Sequence, residues 1–292
     1  MKIIIHGKPF AETAKPYIQD LFEELSARKI NVLITPDFDK TLRYSGVAFE
    51  NHQILEDHRA LEGAKLVVSL GGDGTLLETI AMVGPKQIPV IGVNVGRLGF
   101  LATVAPERIR DMIKALESGN YRIETRTILE AEANQKDIFN GVNFALNDIA
   151  ITKTETSSMI TVHSYLNGQF LNSYWADGLI VSTPTGSTGY SLSCGGPVLV
   201  PNSKNLIVTP VSPHNLNVRP LVVEDSAVLT LEVNSRSNNF LLSLDSRSGI
   251  VDVSTRLTVR KANFVARLIK MQDENFFDTL RSKLNWGLDM RN

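Results

Sequence analysis

Two hydrophobic periods divide this chain. Over the first third, short apolar runs alternate with stretches whose apolar residues recur every three or four positions. Lys2–His6, Asn31–Thr35, Lys65–Leu70 and Ile88–Val93 predict strands. Pro16–Arg28, Leu76–Val83 and Pro106–Ser118 predict helices. Tyr17, Ile18, Leu21, Phe22 and Leu25 line one face of the first helix, and Gly119 lies just past the end of the last. Alternating strands and helices imply parallel βαβ units with right-handed crossovers.

From about residue 121 the period changes. Tyr121–Ala133, Phe144–Thr152, Met159–Leu166, Gln169–Tyr174, Leu179–Thr183, Asn205–Thr209, Ala227–Val233, Phe240–Leu244 and Arg256–Lys261 all predict strands. Asn167-Gly168 between two of them is a two-residue hairpin signal. Many short strands with turn punctuation predict an antiparallel β-sandwich. Helical spacing returns at Glu274–Trp286 through Phe276, Phe277, Leu280 and Leu284.

Composition narrows the possible functions. The 292 residues carry 30 Lys and Arg against 31 Asp and Glu, a formal charge of −1. Sequence-independent nucleic-acid binding depends on excess cationic side chains, so no nucleic-acid partner is expected. Any anionic ligand must be held by local geometry. Cys194 is the single cysteine, which forbids an intramolecular disulfide and suits a reducing compartment. The apolar run Ile3–Ile5 is too short for a signal peptide, and no run approaches the ~18 residues that span a bilayer. A soluble, cytoplasmic protein without a membrane partner is expected.

Chemistry is first signalled where the strand ending at Leu70 runs into Gly71-Gly72-Asp73-Gly74-Thr75 and then a helix. This turn falls at the carboxyl edge of a parallel sheet, where α/β ligands bind. Its glycines admit a phosphate close to the backbone N–H groups, and the helix start adds partial positive charge. A carboxylate there repels phosphate, but it suits an attacking hydroxyl or a metal. A tight turn whose Asp caps the helix is the alternative. A P-loop lysine is missing, and Leu77 replaces the third glycine of a dinucleotide fingerprint.

Asn94–Phe100 follows the strand Ile88–Val93 at the same edge, and Asn147-Asp148 interrupts an apolar strand with two polar residues that need partners. A ligand, a bulge or a turn would each supply them. Ser182–Gly196 is almost wholly small hydroxyls and glycines, with Tyr190 offering a stacking face. The histidines show no metal-ligand spacing.

Gly71–Thr75, Gly96–Phe100, Asn147-Asp148 and Asp177–Ser193 together resemble the NAD kinase family, in order and over nearly the whole chain. The resemblance implies a Rossmann-like α/β domain (1–121), a β-sandwich domain binding the dinucleotide (122–266) and a C-terminal tail returning to the first (267–292). It implies transfer of the ATP γ-phosphoryl to the 2′-hydroxyl of the adenosine ribose of NAD, yielding NADP, with a divalent metal such as Mg²⁺ or Mn²⁺. The family aspartate falls on Asp73, as general base, with Gly71, Gly72, Gly74 and Thr75 around phosphate and Phe100 nearby. Asn147 and Asp148 fall on the pair that contacts the dinucleotide. Asp177, with Thr185, Thr188, Gly189, Tyr190, Ser191, Leu192 and Ser193, would line its two ends, often across a subunit boundary in a homodimer or homotetramer. By the same resemblance Trp175 and Arg247 would be further cofactor contacts.

Glu78 stands where many bacterial members carry a basic residue, and Asp245-Ser246 where an Asp-Gly pair is common. Asp73, Asp148 and Asp177, set against only Arg97 and Arg247, make the implied site acidic, so the resemblance requires a metal. A lipid or sugar kinase shares the Gly-Gly-Asp-Gly-Thr turn but leaves Ser182–Ser193 unused. A non-catalytic dinucleotide sensor leaves Asp73 without a purpose.

Overall fold

The computed structural model describes residues 1–49, 52–96, 99–134, 139–154 and 158–286. The chain divides into two compact units, residues 1–125 with 266–292 and residues 126–265.

The first unit is built from β1 (Lys2–Gly7), α1 (Lys15–Ala27), β2 (Asn31–Ile34), α2 (Pro36–Tyr44), β3 (His52–Ile54), β4 (Leu66–Gly71), α3 (Asp73–Val83), β5 (Val90–Asn94) and α4 (Ile109–Ser118). Its strands lie in the order β3-β2-β1-β4-β5, all parallel. Burial explains the uninterrupted apolar strands. Ile3, Ile4 and Ile5 are all inaccessible, because both sheet faces are covered. Ile18, Leu21 and Phe22 of α1 pack with Ile3 and Ile5, and with Met112 and Ile113 of α4, in one core.

Two elements here go beyond the hydrophobic pattern. α2 offers only Phe38 and Leu42 to the core, too few apolar positions for a periodic signal. β3 is a three-residue edge strand, His-Gln-Ile, half-buried or exposed. α3 also starts three residues earlier than Leu76. Gly72 is its extended N-cap, and Asp73 takes the first turn, where a carboxylate favours the helix dipole.

The chain enters the second unit within β6 (Tyr121–Ala133). There follow β7 (Phe144–Ala145), β8 (Asp148–Thr152), β9 (Ile160–Leu166), β10 (Gln169–Ala176), β11 (Gly178–Ser182), the short α5 (Tyr190–Ser193), β12 (Asn205–Val211), β13 (Leu221–Glu224), β14 (Leu229–Asn234), β15 (Asn239–Leu244), β16 (Arg247–Asp252) and β17 (Leu257–Met271). One antiparallel sheet runs β10-β9-β14-β17 and the other β13-β12-β11-β8-β15-β16. Val162, Leu229 and Leu231 of the first share a core with Ile149, Val181 and Phe240 of the second, which makes the pair a β-sandwich. Asn167 and Gly168 turn the β9–β10 hairpin with φ of 50° and 80°, as the two-residue loop requires.

β17 returns to the first unit, where Leu268 pairs with Val90 of β5 in parallel. The tail then forms α6 (Phe276–Leu284), capped by the Asn275 side chain on the Phe277 N–H. It is tied to the first unit by an Arg108–Asp273 ion pair of 2.9 Å and a Thr103–Glu274 hydrogen bond of 2.9 Å.

The predicted strand Phe144–Thr152 is in fact broken between β7 and β8. The N–H groups of Leu146, Asn147 and Asp148 leave the ladder and donate to the Asp245 carboxylate, at 2.8, 2.7 and 3.2 Å. A side chain almost a hundred residues away thus opens the strand where two polar residues interrupt it.

Candidate active site

In the first unit, β4 delivers Gly71-Gly72-Asp73 to the carboxyl edge of the sheet and β5 delivers Asn94 beside it, through the register Gly71↔Asn94. The half-buried Asp73 carboxylate joins the two turns. Its Oδ2 accepts the N–H of Phe100 at 2.8 Å, and its Oδ1 accepts those of Leu101 and Ala102 at 3.0 Å each. Gly99 makes this approach possible, since a Cβ there would stand 1.9 Å from Asp73 Oδ1. Thr75 is buried with its side chain folded over Gly71, while Gly74 is exposed at the start of α3. The two glycine-bearing turns therefore form one edge with a fixed carboxylate. Arg97 lies outside the described residues.

Glu78, on α3 one turn beyond Gly74, binds Lys8 Nζ at 2.9 Å and approaches His6 Nε2 at 3.6 Å. Burial lowers the His6 imidazole, against the opposing pull of Glu78.

In the second unit, Asn147 and Asp148 sit in the gap opened by Asp245. The Thr183 hydroxyl donates to Leu146 O at 2.6 Å, and the Thr183 N–H to Asn147 O at 2.9 Å. Gly186 packs so closely that a Cβ would meet Asn147 O at 2.1 Å. Asp148 is 7% exposed. Burial, with a smaller push from the Asp245 charge, raises its carboxyl to about 7. Burial also raises Asp245, against the three N–H bonds and Arg247 that favour its charge. Asn147 Oδ1 and Thr185 Oγ1 are buried without a hydrogen-bond partner. Leaving such an atom unpaired costs on the order of 1–3 kcal/mol, which a polar ligand would offset.

The hydroxyl–glycine block divides by role. The Ser187 hydroxyl holds Pro184 O at 2.7 Å, and buried Ser191 shares a 2.8 Å hydrogen bond with Thr209. Thr188 and Leu192 are half-buried beside Gly189, whereas Tyr190 and Ser193 face outward. Burial raises the Tyr190 phenol, with smaller pushes from Cys194, Asp148 and Asp177. Cys194 packs against Ala150, Ile180 and Val211, and burial raises its thiol.

Asp177 lies at the far end of β11 from Asp148. The register pairs Ser182 with Asp148 and Gly178 with Thr152, so at about 3.3 Å per residue the two aspartates stand about 16 Å apart along the strand. Asp177 forms a 2.6 Å ion pair with Lys153. Trp175, half-exposed on the outer sheet face, stacks on His214 with ring centroids 4.1 Å apart. It also borders a cleft of about 510 Å³ with Met159, Thr161 and Arg236. Arg247 donates to the carbonyls of Val142 and Phe144 and lies over the Phe144 ring. Lys153 thus covers Asp177, and burial raises the Asp148 carboxyl.

The sequence marks Asp245 only as one member of the Asp245-Ser246 pair, whereas the structure makes it the acceptor of three consecutive N–H groups. Its φ of 53° at the β15–β16 hairpin turn is a feature of the structure that the sequence does not display.

Residues 3–121 match the family model for the ATP-NAD kinase N-terminal domain, and residues 146–271 that for the C-terminal domain. NAD kinases of Cytophaga hutchinsonii and Flavobacterium psychrophilum are 48% and 44% identical to this chain, over all of it and all of themselves. The chain belongs to the NAD kinase family. As a family member it is a phosphotransferase. The same fold is seen in yeast NADH kinase complexed with NADH, with a TM-score of 0.89 and 24% identity over 100% of this chain and 89% of that one. An Archaeoglobus fulgidus NAD kinase in complex with ATP gives 0.75 and 24%, over 98% and 99%.

Proposed function

We propose that this NAD kinase family member transfers the γ-phosphoryl of ATP to the 2′-hydroxyl of the adenosine ribose of NAD, with Asp73 orienting and deprotonating that hydroxyl. The observation that carries the reading is the Asp73 carboxylate, immobilised by three N–H donors next to Gly71, Gly72 and Gly74. Oδ2 accepts only one of those bonds, so it retains acceptor capacity for a hydroxyl proton. Phosphoryl transfer has a loose transition state with little covalent demand on the protein. Placement of the hydroxyl therefore supplies most of the rate: the ribose O–P bond forms as the bond from the γ-phosphorus to the β,γ-bridging oxygen breaks, ADP leaves, and the hydroxyl proton passes to Oδ2.

The glycine N–H groups and the start of α3 would meet phosphate oxygens. Asn147, Asp148, Thr185, Thr188, Gly189 and Tyr190 would hold the dinucleotide, supported by the unpartnered Asn147 Oδ1 and Thr185 Oγ1. The separation of Asp177 and Trp175 from Asp148 supports their serving a different end of the dinucleotide, or a neighbouring subunit of a homodimer or homotetramer.

Among the described residues, no three His, Cys, Asp or Glu side chains gather as a metal site, and Asp73 Oδ1 already accepts two backbone N–H groups. These residues do not fit a resident metal. The divalent ion enters as Mg²⁺ carried on the ATP phosphates, part of the substrate. No described helix is long and apolar enough to cross a membrane. The single cysteine supports a cytoplasmic setting.

The test is incubation with ATP, Mg²⁺ and NAD, followed by detection of NADP with an NADP-specific dehydrogenase. NADP formation is expected. Tight NAD binding without NADP would replace the reading with a sensor, and phosphate appearing only on a lipid or sugar would replace it with another kinase.

A further inference from the structure

The segment that immobilises Asp73 is gripped from its other side. Lys270, near the end of β17, is 6% exposed and donates from Nζ to Leu101 O at 3.1 Å and to Thr103 Oγ1 at 2.8 Å. Thr103 donates in turn to Glu274 Oε2 at 2.9 Å, and Glu274 Oε2 lies 3.8 Å from Lys270 Nζ. Arg122 Nη2 holds the Glu274 carbonyl at 2.5 Å, fixing the tail that carries this carboxylate.

The chemistry lies in which peptide Lys270 chooses. The carbonyl of Leu101 and the N–H of Ala102 belong to one amide plane. That N–H donates to Asp73 Oδ1 at 3.0 Å, so one peptide separates a buried ammonium from the carboxylate. A cation on the carbonyl polarises the amide and strengthens the N–H as a donor, the cooperative effect of linked hydrogen bonds at low dielectric. The neighbouring backbone is held as well: Ala102 packs on Gly92 of β5, where a Cβ would meet its Cα at 2.8 Å, and Val104 N–H donates to Gly92 O at 3.2 Å.

We propose that Lys270 is a positioning residue for phosphoryl transfer. Through the 101–102 peptide it sets the orientation of the Asp73 carboxylate, with Thr103 and Glu274 holding the ammonium in place. This rests on the reading of Asp73 as the group that orients the hydroxyl. Lys270 is buried with its ammonium on Leu101 O and Thr103 Oγ1, so its removal is expected to change turnover and leave substrate affinity alone.

The test compares Lys270→Met, Lys270→Gln and Thr103→Val with the full-length wild type. Readouts are kcat, the KM values for ATP and NAD, melting temperature, and the proton shift of the Ala102 amide. Lys270→Met is expected to lower kcat about tenfold or more, with both KM values within about twofold, since small misplacement of a reacting group is costly. The Ala102 amide proton moves upfield as its bond to Asp73 weakens. Lys270→Gln, which keeps a donor without charge, is expected to behave like Lys270→Met. Recovery by Gln would overturn the charge argument and leave a structural hydrogen bond. A folded Lys270→Met with wild-type kcat, or with raised KM and unchanged kcat, would overturn the proposal. If Lys270→Met does not fold, Thr103→Val carries the test, with a smaller kcat loss and a smaller upfield shift expected; unchanged values would overturn it. Asp73→Asn is measured alongside: near wild-type turnover there sinks the base reading alone, while the Ala102 shift still reports on the Lys270 linkage.

Discussion

Gly99→Ala tests the Asp73 clamp with a single methyl group. The added Cβ would stand 1.9 Å from Asp73 Oδ1, 2.4 Å from Cγ and 2.7 Å from Oδ2. Carbon–oxygen contacts settle near 3.4 Å, so carboxylate and loop must separate by about 1.5 Å. The perturbation is steric, through contact of the added Cβ with the Asp73 carboxylate. Asp73 cannot retreat by that distance while accepting from Phe100, Leu101 and Ala102. Hydrogen bonds to charged groups contribute about 1.5–3 kcal/mol each, so losing one or two lowers stability by about 1.5–6 kcal/mol. At about 2–4 °C per kcal/mol for chains of this size class, the melting temperature falls by roughly 3–24 °C. A displacement of about 1 Å at a reacting group costs about 10²-fold in rate. The assay is kcat by NADP-coupled detection, with melting temperature by scanning fluorimetry. Gly96→Ala is the stability control: among the described residues its Cβ meets only Asn94 Oδ1, at 3.9 Å, and the melting temperature should hold. A Gly99→Ala protein with wild-type kcat and melting temperature would refute the clamp.

Asp73→Asn is expected to lower turnover by at least ~10²-fold. It also lowers the melting temperature, because an amide NH₂ cannot accept the N–H bonds that the carboxylate takes. Asp245→Ala releases the N–H groups of Leu146, Asn147 and Asp148; thermal stability should fall and the KM for NAD should rise more than that for ATP. For Asp148 the pH dependence has a definite sign. Its folded carboxyl, held near 7 by burial and then by Asp245, binds its proton more tightly than the unfolded one near 3.8. That contribution is fully present below pH 3.8 and is lost as pH rises through about 7. Melting curves of Asp148→Asn between pH 4 and 8 should therefore decline less with pH than wild type; parallel curves would show that Asp148 does not carry the effect.

Much of the architecture was legible because burial writes itself into local pattern. Ile3–Ile5 and Leu66–Leu70 read as continuous apolar strands since helices cover both faces of their sheet. The alternation along β9, with Ile160, Val162 and Ser164 inward, follows from a sandwich covered on one face. α2 and the edge strands β3 and β16 were not legible, for they bury too little to impose a period. The glycine–aspartate turn was legible as a site candidate because its neighbours in sequence are its neighbours in space.

The supports of that site are different. Asp73 and Asp245 each gather three consecutive backbone N–H groups, on segments about 27 and 98 residues away along the chain. Lys270 reaches Leu101 across 169 positions. Local sequence determined which residues carry the chemistry and which edge presents them, since strand, turn and helix propensities act over a few residues. Only the tertiary structure decided that Asp73 is clamped, that Asn147 and Asp148 stand in an opened strand, that Lys153 covers Asp177, and that Arg247 is given to backbone carbonyls. The physical reason is that a carboxylate or ammonium shielded from water takes whatever donor or acceptor the fold brings within about 3 Å, and nothing local specifies that partner.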